Sequence, residues 1–333
     1  MSIHRELTRR QPLAALGGMA LMFTLGLNAT PALAQGMYPA AKPVTFVNAF
    51  PPGGPADILA RSVASILQTS LKQSFVVENK PGAGGNLGAD YVAKSRPDGY
   101  TVMFGIDTTF TVNPHIYKNM PFKPGDLKPL MIMASSGLLV GVNPSTGIKS
   151  MNDLVAQAKA KTLNFSSAGS GSPGHLAVQL FTEVTKAKLN HIPYKGNTPA
   201  VTAVLSGEVD GGVLATPGML PYVKAGKVTA LAVTSRQRSR LAPNIPTVAE
   251  AGFKELAQEV LYVAMVPAAT PEPVVQILQR AFTDAFARPD MQARLNTLDL
   301  QPDGATGAAA AQRLADVSAH YAQIIRATGM KVE

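Results

Sequence analysis

The chain reads as an α/β protein of two similar halves with a ligand cleft between them. Three observations carry that reading. Short β-branched runs alternate with amphipathic helical stripes, the alternation restarts after an apolar double run near residue 137, and strands in both halves end in Gly- or Ser-rich loops that open helices. In open parallel sheets, ligands bind beyond the carboxyl ends of the strands, so each half is expected to present its loops along one edge.

Residues 1–34 stand apart as an export segment. Arg5, Arg9 and Arg10 form a charged start, Leu13 to Leu27 is apolar, and Ala32-Leu33-Ala34 has the small-residue pattern of a cleavage site. The apolar stretch is too short for a stable membrane-spanning helix. The mature chain is expected to begin near Gln35, exported to the periplasm.

Without residues 1–34, which hold three Arg and one Glu, 27 basic residues face 20 acidic ones, net +7. That balance weakly favours anionic ligands. No Lys/Arg block is interleaved with aromatics, which argues against nucleic acid. The sequence has no Cys, which excludes disulfides, a thiol nucleophile and a zinc–thiolate site. About 300 mature residues can bury one large or two medium cores.

Taken in order, Val44–Val47 is the first strand, and Pro51-Pro52-Gly53-Gly54-Pro55-Ala56-Asp57 links it to a helix striped by Ile58, Leu59, Val63, Ile66 and Leu67. Pro55 suits the first helical position, where its missing N–H costs nothing. Phe75–Val77 is the second strand, the loop Lys80–Gly85 and a helix follow, and Tyr100–Phe104 closes a β-α-β-α-β unit ending at Asp107 and Thr108. Leu130–Ala134 and Leu138–Val142, split by Ser135-Ser136-Gly137, read as a strand crossing between domains. Beyond it, Ser150–Asp153 resembles a capping box, Leu163–Ser166 a strand, His175–Thr185 a helix and His191–Pro193 a short strand. Gly212–Ala215 and Thr229–Thr234 complete a second sheet, Leu261–Val266 returns, and helices over Pro271–Ala287 and Gly307–Thr328 finish the chain.

The motifs favour binding over chemistry. Gly82-Ala83-Gly84-Gly85 sits between a strand and a helix, where glycine admits positive φ and close backbone approach by an anion. A turn needing glycine for geometry alone explains it equally well in isolation, but the device recurs. Ser167-Ala168-Gly169-Ser170-Gly171-Ser172 is the second such loop, and Tyr194–Pro199 is another that opens a helix. Ser172 lacks the first Gly of a nucleophile elbow, which argues against a serine hydrolase. Gly82-x-Gly84 lacks the third Gly of a dinucleotide fingerprint and the Lys-Ser/Thr of a P-loop, so no cofactor is expected. His115, His175, His191 and His320 show no metal-ligand spacing and read as caps or surface residues; no metal is expected. Asp57 and Asp107 read as loop or capping residues, Asp57 through local hydrogen bonds.

The runs Phe50-Pro51-Pro52-Gly53-Gly54-x-x-Asp57, Val77–Gly88 and Pro97-Asp98-Gly99-Tyr100-Thr101 resemble the Bug (TctC) family of periplasmic receptors of tripartite tricarboxylate-type transporters. Agreement continues through Ile192–Gly196, Gly207–Asp210, Leu231–Thr234 and Pro246–Gly252, in order across residues 38–330. The resemblance implies a two-domain, hinge-closing periplasmic-binding-protein fold (type II-like), each domain a mixed sheet flanked by helices. It implies domains of 35–136 with 245–333, and of 137–244. It implies a monomer without catalysis that takes a small carboxylate and works with integral-membrane transporter subunits. A ligand sensor serving a signalling partner would use the same closed state. The family's carboxylate loops map onto Phe50, Gly53, Gly54 and Pro55 with Asp57, onto Ala83, Gly84 and Gly85, and onto Ser167, Ala168, Gly169, Ser170 and Ser172; Asp107 and Thr108 end the third strand at the same edge.

The sequence departs from the family pattern at two places. Gly211–Ala215 is apolar where relatives often carry an aspartate or another polar residue, and Leu261-Tyr262-Val263 replaces a usual Trp and Gly. Leu214 and Tyr262 are therefore expected to wall the variable part of the cleft and to select a ligand without an ammonium group.

Overall fold

The computed structural model describes residues 38–331; the expected export segment lies outside them. From residue 39 onward the chain builds two mixed sheets. In the first, β1 (Val44–Asn48), β2 (Phe75–Asn79) and β3 (Thr101–Ile106) run parallel, joined by α1 (Pro55–Leu71) and α2 (Asn86–Ala93). After β3 come two short helical turns, α3 (Thr108–Thr111) and α4 (Asn113–Ile116), then β4 (Leu127–Ser136).

β5 (Leu138–Val142) belongs to the second sheet, with α5 (Met151–Ala160), β6 (Leu163–Ser167), α6 (Pro173–Thr185), β7 (Leu189–Pro193), α7 (Asn197–Ser206), β8 (Gly211–Ala215), α8 (Thr216–Lys224) and β9 (Thr229–Val233). β10 (Val260–Pro267) returns to the first sheet, followed by α9 (Glu272–Ala287), α10 (Pro289–Thr297), β11 (Gln301–Pro302) and α11 (Gly307–Thr328). Strand orders are β11-β4-β10-β3-β1-β2 and β7-β6-β8-β5-β9.

Alternation along the first-lobe strands sends one set of side chains to each face. Phe46 and Phe104, ring centroids 4.6 Å apart, meet Phe75 and Phe282 of α9 on one face. Val47, Met103, Ile132 and Val263 pack on the other with Ala89, Val92 and Leu314. In the second lobe Leu139, Val201, Val204, Leu214, Met219 and Val233 form the corresponding core. Ser150 caps α5 by accepting from Asp153 N, while the Asp153 carboxylate reaches Lys149 N, one residue short of a reciprocal capping box.

Thr234 laces the crossings together. Its hydroxyl accepts from Leu138 N and donates to Gln258 O, and its carbonyl accepts from Gln258 N. At Gly137 a Cβ would lie 2.7 Å from Ser235 N, so the outgoing and returning strands pass too close for any side chain. Gln258 also donates from Nε2 to Pro173 O at 2.9 Å, tying the return path to the start of α6.

Candidate ligand-binding site

Strand direction places the two sets of loops on facing edges. β3 and β4 are both antiparallel to β10, so β4 runs with β1, β2 and β3. The chain therefore leaves the first lobe, after Ser136, at the edge that carries Asn48, Asn79 and Ile106. β5 begins opposite Ala215, the end of β8, and β8 runs parallel to β6. The chain thus enters the second lobe at the edge that carries Ser167.

In the first lobe, Asn48 and Asn79 end adjacent strands in register and both donate to Phe50 O, at 2.9 and 3.1 Å. Asn79 also donates to Asp57 Oδ1, and Asp57 Oδ2 accepts from Gly53 N and Arg61 Nε, each at 3.0 Å. Those bonds hold the Asp57 carboxyl below its usual range despite burial. They tie the loop from Phe50 to Pro55 onto the two strand ends. Gly54 caps α1 without a side-chain bond and Pro55 has no N–H, so the amides of Ala56 and Asp57 open this edge.

The neighbouring loop is a run of left-handed residues: Ala83 at φ 48°, Gly84 at 63° and Gly85 at 92°. Gly85 N is spent on Gly82 O within this turn, which leaves the amides of Ala83 and Gly84 as its donors for an anion. Gly84 O accepts from Thr109 Oγ1 at 2.9 Å and Asn113 Nδ2 at 3.0 Å, which fixes the peptide plane. A Cβ at Gly84 would lie 2.9 Å from Asn113 Nδ2, and one at Gly85 would meet Thr109 and the Phe50 ring. The half-buried Phe50 ring thus forms part of the floor of the loop.

In the second lobe, Ser172 caps α6 by accepting from His175 N. Ser167 Oγ is a hub: it accepts from Gly169 N and from Ser172 Oγ and lies 2.6 Å from His191 Nε2. Gly171 N donates to His175 Nδ1, and Ser172 N to Gly169 O. The donors of this loop with no acceptor within it are the amides of Ala168 and Ser170 and the exposed Ser170 hydroxyl.

Several expected contacts turn inward. Asp107 is fully buried: Oδ1 accepts from Leu261 N, Oδ2 accepts from Thr111 Oγ1, and burial raises its carboxyl to about 7. It clamps β3 to β10 and has no oxygen free for a ligand. Thr108 is likewise buried, and the supporting hydroxyl is that of Thr109. Asp57 has both oxygens engaged, and a carboxylate there would repel a second one. Ser167 is buried. Leu214 packs in the second-lobe core, so half-exposed Ala215, one residue on, stands at the edge. Tyr262 is buried too, with its hydroxyl 3.4 Å from Ser136 Oγ.

Two grooves of about 450 and 530 Å³ lie elsewhere on the first lobe. One runs between α1 and α10 along Ile58, Arg61, Met291 and Arg294; the other lies beside α2 along Lys80, Leu87 and Tyr91. Neither is lined by the left-handed residues Ala83–Gly85 or by the serine loop. The candidate anion site is marked by the unspent amides of the two loops and not by either groove.

The family model described as "Tripartite tricarboxylate transporter family receptor" matches residues 59–330. The chain belongs to this family. Protein BugT of Bordetella pertussis is 34% identical over 300 residues, spanning 89% of this chain and 92% of that protein. The structure of R. palustris Rpa4515 with adipate has a TM-score of 0.81 at 29% identity, covering 88% of this chain and 99% of that one. MatC from Rhodopseudomonas palustris with bound malate has a TM-score of 0.75 at 25% identity, covering 86% and 99%. The two-sheet architecture of this TctC-family receptor is the periplasmic binding-protein fold expected from the resemblance. Its loop supports were not singled out in the sequence as site residues: Asn48, Asn79, Thr109 and Asn113 in one lobe, His175 and His191 in the other. The two asparagines at paired strand ends were the available signal.

Proposed function

We propose that this receptor captures a small carboxylate between its lobes in the periplasm and presents the closed form to the membrane subunits of a tripartite transporter. The observation that carries the reading is the pair of donor-rich loops on facing edges: the left-handed amides at Ala83 and Gly84, and Ser170 with the Ala168 and Ser170 amides. Adipate and malate in the two related structures supply the ligand class. The lobes are taken as 35–136 with 245–333, and as 137–244, hinged where Thr234 laces the crossings. The receptor acts as a monomer, exported by cleavage near Ala34.

Capture without chemistry fits the serine–histidine contact behind this loop. Ser167 is buried, its hydroxyl is spent on the loop, and the His191 ring backs onto His175 rather than onto a carboxylate. Thermal unfolding of the mature chain against a panel of mono- and dicarboxylates tests the function. A binding acid at a hundredfold excess over Kd adds about 2.7 kcal/mol of stability; no shift with any acid refutes the reading. Intact-mass analysis of the native protein should give a chain starting at or near Gln35.

A further inference from the structure

Behind the serine loop lies a pair of stacked histidines for which carboxylate capture has so far required no role. His175, in the first turn of α6, and His191, on β7, have ring centroids 3.9 Å apart and planes 8° from parallel. Each ring is bonded to the loop. Gly171 N donates to His175 Nδ1 at 3.2 Å, and Ser167 Oγ lies 2.6 Å from His191 Nε2.

Hydrogen-bond accounting fixes the protons. An amide can only donate, so His175 Nδ1 is bare and its neutral form carries the proton on Nε2, 3.4 Å from Gln179 Nε2 across an amide free to present its oxygen. Ser167 Oγ already accepts from Gly169 N and Ser172 Oγ, which fills both lone pairs. Its own proton has two acceptors in reach: Gly169 O at 3.1 Å, which already receives Ser172 N, and His191 Nε2 at 2.6 Å. On the shorter contact His191 Nε2 accepts this proton, which requires a neutral ring with that nitrogen bare. Burial of both rings favours the same uncharged state.

We propose that His175 and His191 are positioning residues that aim the donors of the serine loop and so determine what it can bind. The relay from Ser172 through Ser167 to His191 draws two hydroxyl protons away from the cleft, and His175 draws the Gly171 amide. What remains outward, at Ala168 and Ser170, includes no hydroxyl besides that of Ser170, and suits one acceptor-only group such as a carboxylate. Without the ring acceptor the Ser167 proton turns to Gly169 O, 3.1 Å away within the same loop, and the loop loses its side-chain anchor on β7. The inference rests on the reading that this loop grips a carboxylate.

Two measurements on the mature receptor test it. Imidazole ¹⁵N spectra at neutral pH should show bare-nitrogen shifts at His175 Nδ1 and His191 Nε2. A proton on His191 Nε2, or a charged ring, overturns the proposal whatever the ligand. Calorimetric titration with adipate and with malate should show His191→Leu weakened by about tenfold or more, the scale of a lost hydrogen bond to a charged group. His191→Gln, whose amide oxygen can reach the Nε2 position, should recover most of that. Equal losses in both variants, with melting unchanged, reduce His191 to a filler and overturn the proposal. Failure of the unmutated receptor to bind either acid counts against the carboxylate reading for those ligands, and the spectra still decide the histidines.

Discussion

Ser170 and Ser172 are two positions apart and serve different ends. Ser170 is exposed with its hydroxyl unspent, whereas Ser172 caps α6 and donates to Ser167. Ser170→Ala should weaken carboxylate binding roughly ten- to hundredfold, the equivalent of about 1.5–3 kcal/mol, with little change in melting. Ser172→Ala should cost about 0.5–2 kcal/mol of stability as a lost cap, and less affinity than Ser170→Ala. Calorimetry and melting on both variants check the split. Leu214 carries a second lesson. β8 is an interior strand buried on both faces from Gly211 to Leu214, which puts Leu214 in the core and leaves Ala215, its last residue, at the edge. The expectation of a ligand without an ammonium group has a different support: Asp57 in the first turn of α1 and Asp107 after β3 have their oxygens engaged. A buried ammonium would lack a partner there. In competition binding, an α-amino acid should bind more weakly than the same acid without its amino group.

At the scale of elements, the left-handed loop after β2 owes its shape to groups far off in sequence. Gly84 is held by Thr109 and Asn113, so Gly84→Val puts a β-branched side chain at φ 63° and drives its Cβ into Asn113. The variant should lose binding altogether and melt lower, by more than the roughly 1–2 kcal/mol of a non-glycine residue in this conformation. The loop itself was legible because three glycines in four residues between a strand and a helix, Gly82 to Gly85, leave few alternatives. The supports were not, since nothing local marks Thr109 or Asn113 as partners of Gly84. The histidine pair escaped for the same reason: parallel pairing of β6 with β7, with Phe165 opposite His191, brings together rings sixteen positions apart. Strands and most helices follow from periodicity. α8 and α10 do not, because Pro217, Pro221 and Pro289 make both stretches resemble loops.

For the whole molecule, buried groups set opposing pH dependences. His175 and His191 stay neutral down to about 4 and 3 when folded, whereas a free imidazole takes a proton near 6.5. The unfolded chain therefore binds more protons between those values, and stability falls as pH drops below about 6.5. Asp107 runs the other way: folded it keeps its proton up to about 7, against 3.8 unfolded, so its contribution rises as pH falls from 7 toward 4. His115, lowered by burial, and Asp299, raised by burial, add smaller effects of opposite sign. Two imidazoles against one carboxyl leave a net loss on acidification of up to roughly 1.4 kcal/mol per pH unit between about pH 4 and 6. Half-exposed His191 brings the observed slope below that ceiling. Asp107→Asn removes the opposing member, so the acid loss should steepen. His191→Gln removes one imidazole and should flatten the profile. Urea midpoints across this window at constant ionic strength measure all three proteins. A profile for the unmutated receptor that is flat or rises toward acid would mean that the rings are charged in the folded chain.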